Sequence, residues 1–368
     1  MFSFLRQKKG PFAAKIEPLG ESITVRAGEN LLKAALEKGI AWPYNCRVGS
    51  CGSCKCKLLS GKIKELNDFS YVLTGEELEA GYILACQTAL KSDIEVAVQL
   101  EAGGALVKRA EPRRVKGRIS RVEALTHDIL DIGIELDGGL GEYLPGQYAD
   151  IIVPGVIDEP RSYSFANSPH HEGDRNVSFF IRRVPNGRLT EWLHSGSRLG
   201  SDVVVDGPHG SFYLREPAGP LVLVAGGSGL APIRALLQQI VADGHNADVS
   251  LIFGAREQRD LYCLEEIERL AGEMRGTLRF VPVLSHEQAG NGWNGATGLC
   301  PDSIMPEMLK VDSSHAYLCG PPAMVDAAVK RLKAIGLEES QIFFDKFLDA
   351  SSILGGRPMN GTNAQARG

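Results

Sequence analysis

The stretch Cys46-Arg-Val-Gly-Ser-Cys51-Gly-Ser-Cys54 decides how the first quarter of this chain is read. Its spacing is C-x4-C-x2-C, and residues 55–85 separate it from a fourth cysteine, Cys86. Four thiolates at this spacing suit a [2Fe–2S] cluster, in which four cysteines hold two irons. Gly49, Ser50, Gly52 and Ser53 are small, so backbone N–H groups can close on the cluster sulfides and offset its negative charge. A bulky or β-branched residue at Gly49 or Gly52 is expected to block the loop. A zinc site usually offers paired C-x2-C elements, and only one is present. Disulfides suit an oxidising compartment, whereas the short apolar stretch at the N-terminus predicts a cytoplasmic chain with reduced thiols.

Cys56 follows strand-like Lys55 and is expected to point away from the cluster as a small buried residue, while Cys263 and Cys300 fit no motif and read as structural. On the N-terminal side, Ile16–Val25 alternates like a strand pair around Leu19-Gly20. Glu29–Lys38 places Leu32, Ala35 and Leu36 at helical spacing and closes with Gly39. Ile94–Val98 reads as a closing strand, so residues 1–102 form one α+β unit. Met1–Lys9 is basic and carries Phe2 and Phe4; it reads as a loose terminus or as a membrane-surface or partner contact.

The 368 residues have room for three such units. Residues 103–113, beginning beside Ala102, read as a linker. Residues 114–215 carry short β-rich runs broken by Gly and Pro, which predicts an antiparallel barrel. Residues 216–348 alternate strand and helix, the pattern of a parallel α/β domain, and 349–368 read as a disordered tail. The net charge of −5 disfavours nucleic acid as a partner. No apolar run approaches the roughly 18–20 residues that span a bilayer.

Each later unit has its own motifs. The barrel stretch holds Gly146-Gln-Tyr148, Arg161-Ser-Tyr-Ser164 and Gly207-Pro-His-Gly-Ser-Phe212. Gly187-Arg188-Leu189-Thr190 opens a helix whose free N–H groups suit a pyrophosphate, although an ordinary capped helix would look the same. The last unit holds Gly226-Gly-Ser-Gly-Leu-Ala-Pro232 directly after an apolar strand. This is neither G-x-G-x-x-G nor a P-loop, but its glycines allow close approach of a phosphate, and Pro232 suits the first turn of a helix. Cys319-Gly320-Pro321-Pro322 follows a second apolar strand.

Residues 40–100 resemble plant-type ferredoxin domains, and residues 15–348 as a whole resemble the NADH-dependent reductases of xylene monooxygenase, phenol hydroxylase, benzoate dioxygenase and soluble methane monooxygenase systems. The resemblance implies a β-grasp ferredoxin, an FAD-binding β-barrel and an NAD-binding α/β domain of the ferredoxin–NADP reductase type. It implies Cys46, Cys51, Cys54 and Cys86 as cluster ligands. Tyr163 then packs on the isoalloxazine, Ser164 lies near flavin N5, and Arg161 faces the flavin phosphates with Ser162 beside it. Ile181, Arg182 and Arg183 lie on the strand beside the flavin nucleotide, with Ile181 and Arg183 assigned to bind it together with Gly187, Arg188, Leu189 and Thr190. Gly226, Gly227, Ser228, Gly229, Pro232, Gly320 and Pro321 are implied to hold the nicotinamide nucleotide. Cys319 lies beside nicotinamide C4, so Ser164 and Cys319 are the implied catalytic pair. Ser228 stands where the family more often has Thr, and Asp345 where it usually has Glu. Phe347 falls where an aromatic adjoins the flavin, although Phe343, Phe344 and Phe347 could equally fill the core of the last strand.

Glu257 and Asp260, after the second strand of the last unit, favour NADH, while Arg256 argues for NADPH. The implied function is electron transfer from NADH through FAD and the cluster to a terminal oxygenase or hydroxylase. Three partners stay open, a membrane di-iron hydroxylase, a soluble di-iron hydroxylase and a Rieske dioxygenase; the long gap before Cys86 and the basic, Phe-bearing N-terminus favour the first, with a monomeric reductase in the cytoplasm, peripheral to the inner face of the membrane through its partner. Two alternatives stay open: a redox-sensing or scaffolding protein that keeps the fold, and a quinone-reductase-like diaphorase module. The expected lack of an N-terminal membrane helix argues against the latter.

Overall fold

The computed structural model describes residues 10–99, 111–169, 174–287 and 291–347. The segment Met1–Lys9, most of the 103–113 linker and the 349–368 tail lie outside the described residues.

The first unit alternates apolar and polar residues in β1 (Phe12–Glu17) and β2 (Glu21–Val25), so Ala14, Ile16, Ile23 and Val25 share one buried face. Helix α1 (Leu31–Glu37) lays Leu31, Leu32, Ala34 and Ala35 on that face. Its start is fixed by Asn30, whose side chain accepts from Lys33 N–H. The unit continues through β3 (Lys55–Ser60), β4 (Ile63–Glu65), the short α2 (Gly75–Glu79), β5 (Tyr82–Leu84), β6 (Thr88–Leu90) and β7 (Ile94–Ala97). The main sheet runs β2-β1-β7-β3-β5, with β1 and β7 parallel and the other pairs antiparallel. Trp42 is fully buried, and its indole N–H donates to Cys54 O at 3.4 Å, which anchors the cysteine loop to this core.

The second unit comprises β8 (Arg113–Ala124), β9 (Ile129–Leu136), β10 (Tyr148–Val153), β11 (Ile157–Ser164), β12 (Asn176–Arg182), α3 (Arg188–His194) and β13 (Asp202–His209). Its antiparallel sheet runs β11-β10-β13-β8-β9-β12. A bridge between Phe165 and Phe179 joins the two outer strands, so the sheet curls into a barrel. Tyr143, Phe165 and Phe179 fill its interior, with Tyr143 and Phe165 stacked at 4.0 Å.

The third unit is wholly parallel: β14 (Leu221–Gly226), α4 (Leu230–Ala242), β15 (Val249–Ala255), α5 (Leu264–Glu273), β16 (Leu278–Leu284), β17 (Ala296–Thr297), β18 (His315–Gly320), α6 (Pro322–Ile335) and β19 (Ile342–Lys346). The order is β17-β16-β15-β14-β18-β19. Every residue of β14 is buried, as a strand covered on both faces requires. Leu221 and Leu223 pack with α4 and α5, whereas Val222 and Val224 pack with α6. The strand order reverses between β14 and β18, so the sheet has its switch point there, where ligands of such sheets bind. Phe180, Ala166 and Phe212 of the barrel join the α4-side core, so barrel and sheet share one apolar seam.

Candidate functional site

All eight cysteines are free thiols. Three of them, Cys46, Cys51 and Cys54, lie in the loop between α1 and β3 and meet Cys86. Among the described residues, no three His, Cys, Asp or Glu side chains converge as one metal ion would need. The thiols stand instead as two hydrogen-bonded pairs. Cys51 holds Cys46 down at about 5 and is itself pushed up; Cys54 lowers Cys86 and is raised in turn. Two pairs of thiols suit a cluster of two irons. The backbone N–H groups of Ser50, Cys46 and Ser53 donate to sulfur, the first to Cys46 Sγ at 3.3 Å and the others to Cys51 Sγ at 3.5 Å. Gly49 and Gly52 hold φ of +79° and +80°, and a Cβ on Gly49 would lie 2.4 Å from Gln87 Cγ. Cys56 is buried, and burial alone raises its thiol. Burial also raises Cys263 and Cys300 to about 12.

On the barrel, β11 presents Arg161 to Ser164 in extended alternation. Ser164 is buried and Tyr163 half-buried against the barrel core, where burial lifts its phenol to about 12. Ser162 Oγ donates to Asp150 Oδ1 at 2.6 Å, and the Arg161 guanidinium donates to the Glu159 and Pro160 carbonyls. Helix α3 starts after Gly187 with no side-chain cap, which leaves its first-turn N–H donors open. A Cβ on Gly187 would sit 2.6 Å from Thr190 Oγ1, and that hydroxyl donates toward the Val184 and Gly187 carbonyls. Leu189 is buried beneath the helix, while Arg188 reaches the Val156 carbonyl.

Arg183, assigned to the flavin nucleotide from the sequence, pairs in this structure with Glu191 on α3, 2.7 Å away and exposed. Strand β12 ends at Arg182. Ile181 points into the barrel core, so Arg182 points outward, and a Cβ on Gly227 would come within 2.8 Å of its guanidinium.

The glycine loops after β14 and β18 abut. A Cβ on Gly226 would strike Met324 Sδ at 2.5 Å, and one on Gly229 the Cys319 carbonyl at 2.3 Å. Ser228 lies in the same short turn, Pro232 is in the first turn of α4, and neither α4 nor α6 has a side-chain cap at its start. Gly320 holds φ of +147°, and Pro321 caps α6. Phe347 N–H donates to the Gly320 carbonyl at 2.9 Å, so the last described residue packs on this loop.

These parts converge. Cys319 pairs in register with Asp345, and Ser164 Oγ donates to Asp345 Oδ2 at 3.4 Å. Asn45 Nδ2 of the cysteine loop donates to the Phe344 carbonyl at 2.9 Å, and Tyr44 N–H to Ser211 Oγ at 3.0 Å. Burial, reinforced by Cys46, pushes the Asp345 carboxyl up to about 7. Cys319 is fully buried, and its thiol is raised by that burial. A cavity of about 590 Å³ beside Tyr143, Arg215 and His245 holds none of the motif residues.

Residues 14–91 match the family described as 2Fe-2S iron-sulfur cluster binding domain, residues 116–213 the oxidoreductase FAD-binding domain, and residues 223–330 the oxidoreductase NAD-binding domain. The chain is 40% identical to the xylene/toluene monooxygenase electron transfer component of Pseudomonas putida, over 89% of this chain and 91% of that one. This chain belongs to the iron–sulfur flavoprotein reductases. The reductase is also 34% identical to the toluate 1,2-dioxygenase electron transfer component of Pseudomonas putida, covering 88% and 94% of the two chains. A crystal structure of an Amycolatopsis cytochrome P450 reductase superposes with a TM-score of 0.74 at 33% identity, covering 91% of this chain and 98% of that one. The reductase is therefore an oxidoreductase that carries electrons from NADH through FAD to a [2Fe–2S] cluster. Among its described residues, no helix is long and apolar enough to cross a membrane.

Proposed function

We propose that this reductase delivers electrons to the terminal oxygenase or hydroxylase component of a multicomponent system. One observation carries the reading: Ser164 of the barrel, Asp345 beside Cys319 of the parallel sheet, and the Cys46 loop meet at one junction. The similarity to electron transfer components of a monooxygenase and a dioxygenase supports the choice of partner.

Cys46 and Cys51 would hold one iron, and Cys54 and Cys86 the other. Tyr163 and Ser164 would line the flavin ring, with Phe347 at its edge. Arg161 would exchange its local carbonyl partners for phosphate oxygens, a role its planar fork suits. The open N–H groups at Arg188–Thr190, after Gly187, would receive the pyrophosphate beside Ile181. The loops Gly226–Gly229 and Cys319–Pro321 would hold the nicotinamide nucleotide, with Cys319 packing against it as a neutral thiol. When bound, the nucleotide supplies a two-electron donor, the flavin a carrier of one or two electrons, and the cluster a one-electron carrier. Asp345 and Ser164 keep a proton at the buried junction, and the seam formed by Phe180, Ala166 and Phe212 keeps water out.

Within the oxygenase class the reading favours a membrane di-iron hydroxylase, met at the cytoplasmic side by a monomeric reductase. The domains would divide at 1–102, 114–215 and 216–348. The carboxylate of Glu257, just beyond β15, favours NADH by accepting from a ribose hydroxyl and repelling a 2′-phosphate. NADH-driven reduction of cytochrome c tests the core of the proposal. Turnover supports it; bound cofactors without turnover would favour a redox sensor. A pull-down of the oxygenase component identifies the partner, and gel filtration reads the oligomeric state.

A further inference from the structure

Arg47 directly follows Cys46 and holds a left-handed backbone, φ 57°, without being glycine. Such a conformation persists where surrounding contacts over-determine it. The Arg47 carbonyl accepts from Gln87 Nε2 at 3.4 Å, and Gln87 follows Cys86, so this residue touches both ends of the cysteine set. Its guanidinium leaves the loop, lies 5.5 Å from the Tyr148 ring centroid, and pairs with Asp150 Oδ2 on β10. Asp150 is nearly buried, and its other oxygen accepts from Ser162 Oγ inside the Arg161–Ser164 strand. One carboxylate therefore grips the cysteine loop and the flavin-motif strand at once. Tyr148 adds a hydroxyl bond to the Asn45 carbonyl at 2.6 Å, and His209 flanks Asp150 at 3.8 Å. A second ionic link between the first unit and its neighbours, Lys55 with Glu339 at 3.4 Å, touches neither the barrel nor that strand.

We infer that Arg47 and Asp150 are positioning residues: their clamp fixes the cluster-bearing loop in register with the Arg161–Ser164 strand, so that electrons cross at a set separation. This rests on the proposed placement of the flavin on that strand. Each crossing oxidises the flavin and reduces the cluster by one electron, NADH being the donor, and no bond forms or breaks between the carriers. Removing one partner of a part-buried charge pair leaves the other without its counter-ion, so either truncation should loosen the loop.

The test compares the full-length holoprotein with Arg47→Ala, Arg47→Lys, Asp150→Asn and the Arg47→Ala/Asp150→Asn double variant. Asn keeps an oxygen for Ser162 while removing the charge. Hydrogen exchange of amides at 44–48 and 210–212 should rise about tenfold in Arg47→Ala and Asp150→Asn. Flavin-to-cluster electron transfer should slow by about tenfold, with Arg47→Lys intermediate, because small misplacements carry large rate penalties. The cluster's EPR spectrum and the rate of flavin reduction by NADH should stay unchanged. The double variant should be no slower than the slower single variant. Unchanged exchange in both single variants, or additive losses in the double, overturns the clamp. If Arg47→Ala fails to fold, Asp150→Asn decides alone. A parent protein that binds no flavin overturns the proposed flavin placement but leaves the exchange measurement standing, so the two failures are distinguishable.

Discussion

Ser164 Oγ, at the end of a barrel strand, donates to Asp345 Oδ2 on the last strand of the parallel sheet, 3.4 Å away. The acid is buried, and burial first, then Cys46, raises it from 3.8 to about 7. Below that value it is neutral; above it, a carboxylate sits where negative charge arrives with the electrons. A like charge opposes that arrival. Flavin reduction by NADH is therefore predicted to be faster below pH 7 than above it, and Asp345→Asn to flatten the profile. Stopped-flow measurement at 450 nm across pH 5.5–8.5 checks both, by a range set about the roughly 7 midpoint. The stability sign follows from the same shift. A folded value above the ordinary one costs stability as pH climbs from about 4 to about 7, and the Asn variant should lose that slope in denaturant titrations. Ser164→Ala should also slow flavin reduction, since the hydroxyl links the flavin strand to this acid.

The four thiols serve only the last carrier, so their removal should split the activities. Cys51→Ser is predicted to abolish reduction of cytochrome c while sparing NADH-driven reduction of ferricyanide, which can draw electrons at the flavin. Equal loss of both would contradict separate carriers in separate units.

The local parts of this site were legible because their chemistry is local. Cys46 to Cys54, Arg161 to Ser164, Gly226 to Pro232 and Cys319 to Pro322 each lie within one loop or strand, and glycines mark where backbone must come close. Strand alternation and helix spacing likewise revealed the fold class of the three units. What joins them could not be read. Asp345 meets Ser164 and Asp150 meets Arg47 only because the chain folds back across domains. The Arg183–Glu191 pair has a different origin: Arg183 lies just beyond the end of β12, where alternation stops, so its partner on α3 does not follow from the strand pattern.

Gly49 offers a direct test of the loop's geometry. Its φ of +79° disfavours any side chain by roughly 1–2 kcal/mol, and its Cβ would press on Gln87 Cγ at 2.4 Å. Gln87 bonds the Arg47 carbonyl and stands 3.8 Å from Cys86 Sγ, so displacing it disturbs both ends of the ligand set. Gly49→Val should yield protein with flavin absorbance but little bound iron, whereas Gly39→Ala, where φ is also positive but a Cβ meets nothing within 4 Å, should retain iron. Iron content and the flavin-to-iron ratio of the purified variants decide between them.

Arg182, the last residue of β12, is a candidate nucleotide-binding residue. Its guanidinium pairs with Asp128 at 3.0 Å and lies over Gly227, at the entrance of the loop before α4. Tyr262 closes the same spot, its hydroxyl donating to the Gly227 carbonyl at 2.8 Å. An arginine over a glycine turn at the switch point of a parallel sheet is placed to meet a dinucleotide phosphate. Arg182→Ala is predicted to raise KM for NADH about tenfold, the loss of one charge-assisted hydrogen bond of roughly 1.5 kcal/mol, with kcat nearly unchanged. Arg183→Ala, which removes only an exposed pair with Glu191, should leave KM within about twofold. Steady-state kinetics with ferricyanide as acceptor separates the two, and a larger effect at Arg183 than at Arg182 would reverse the assignment.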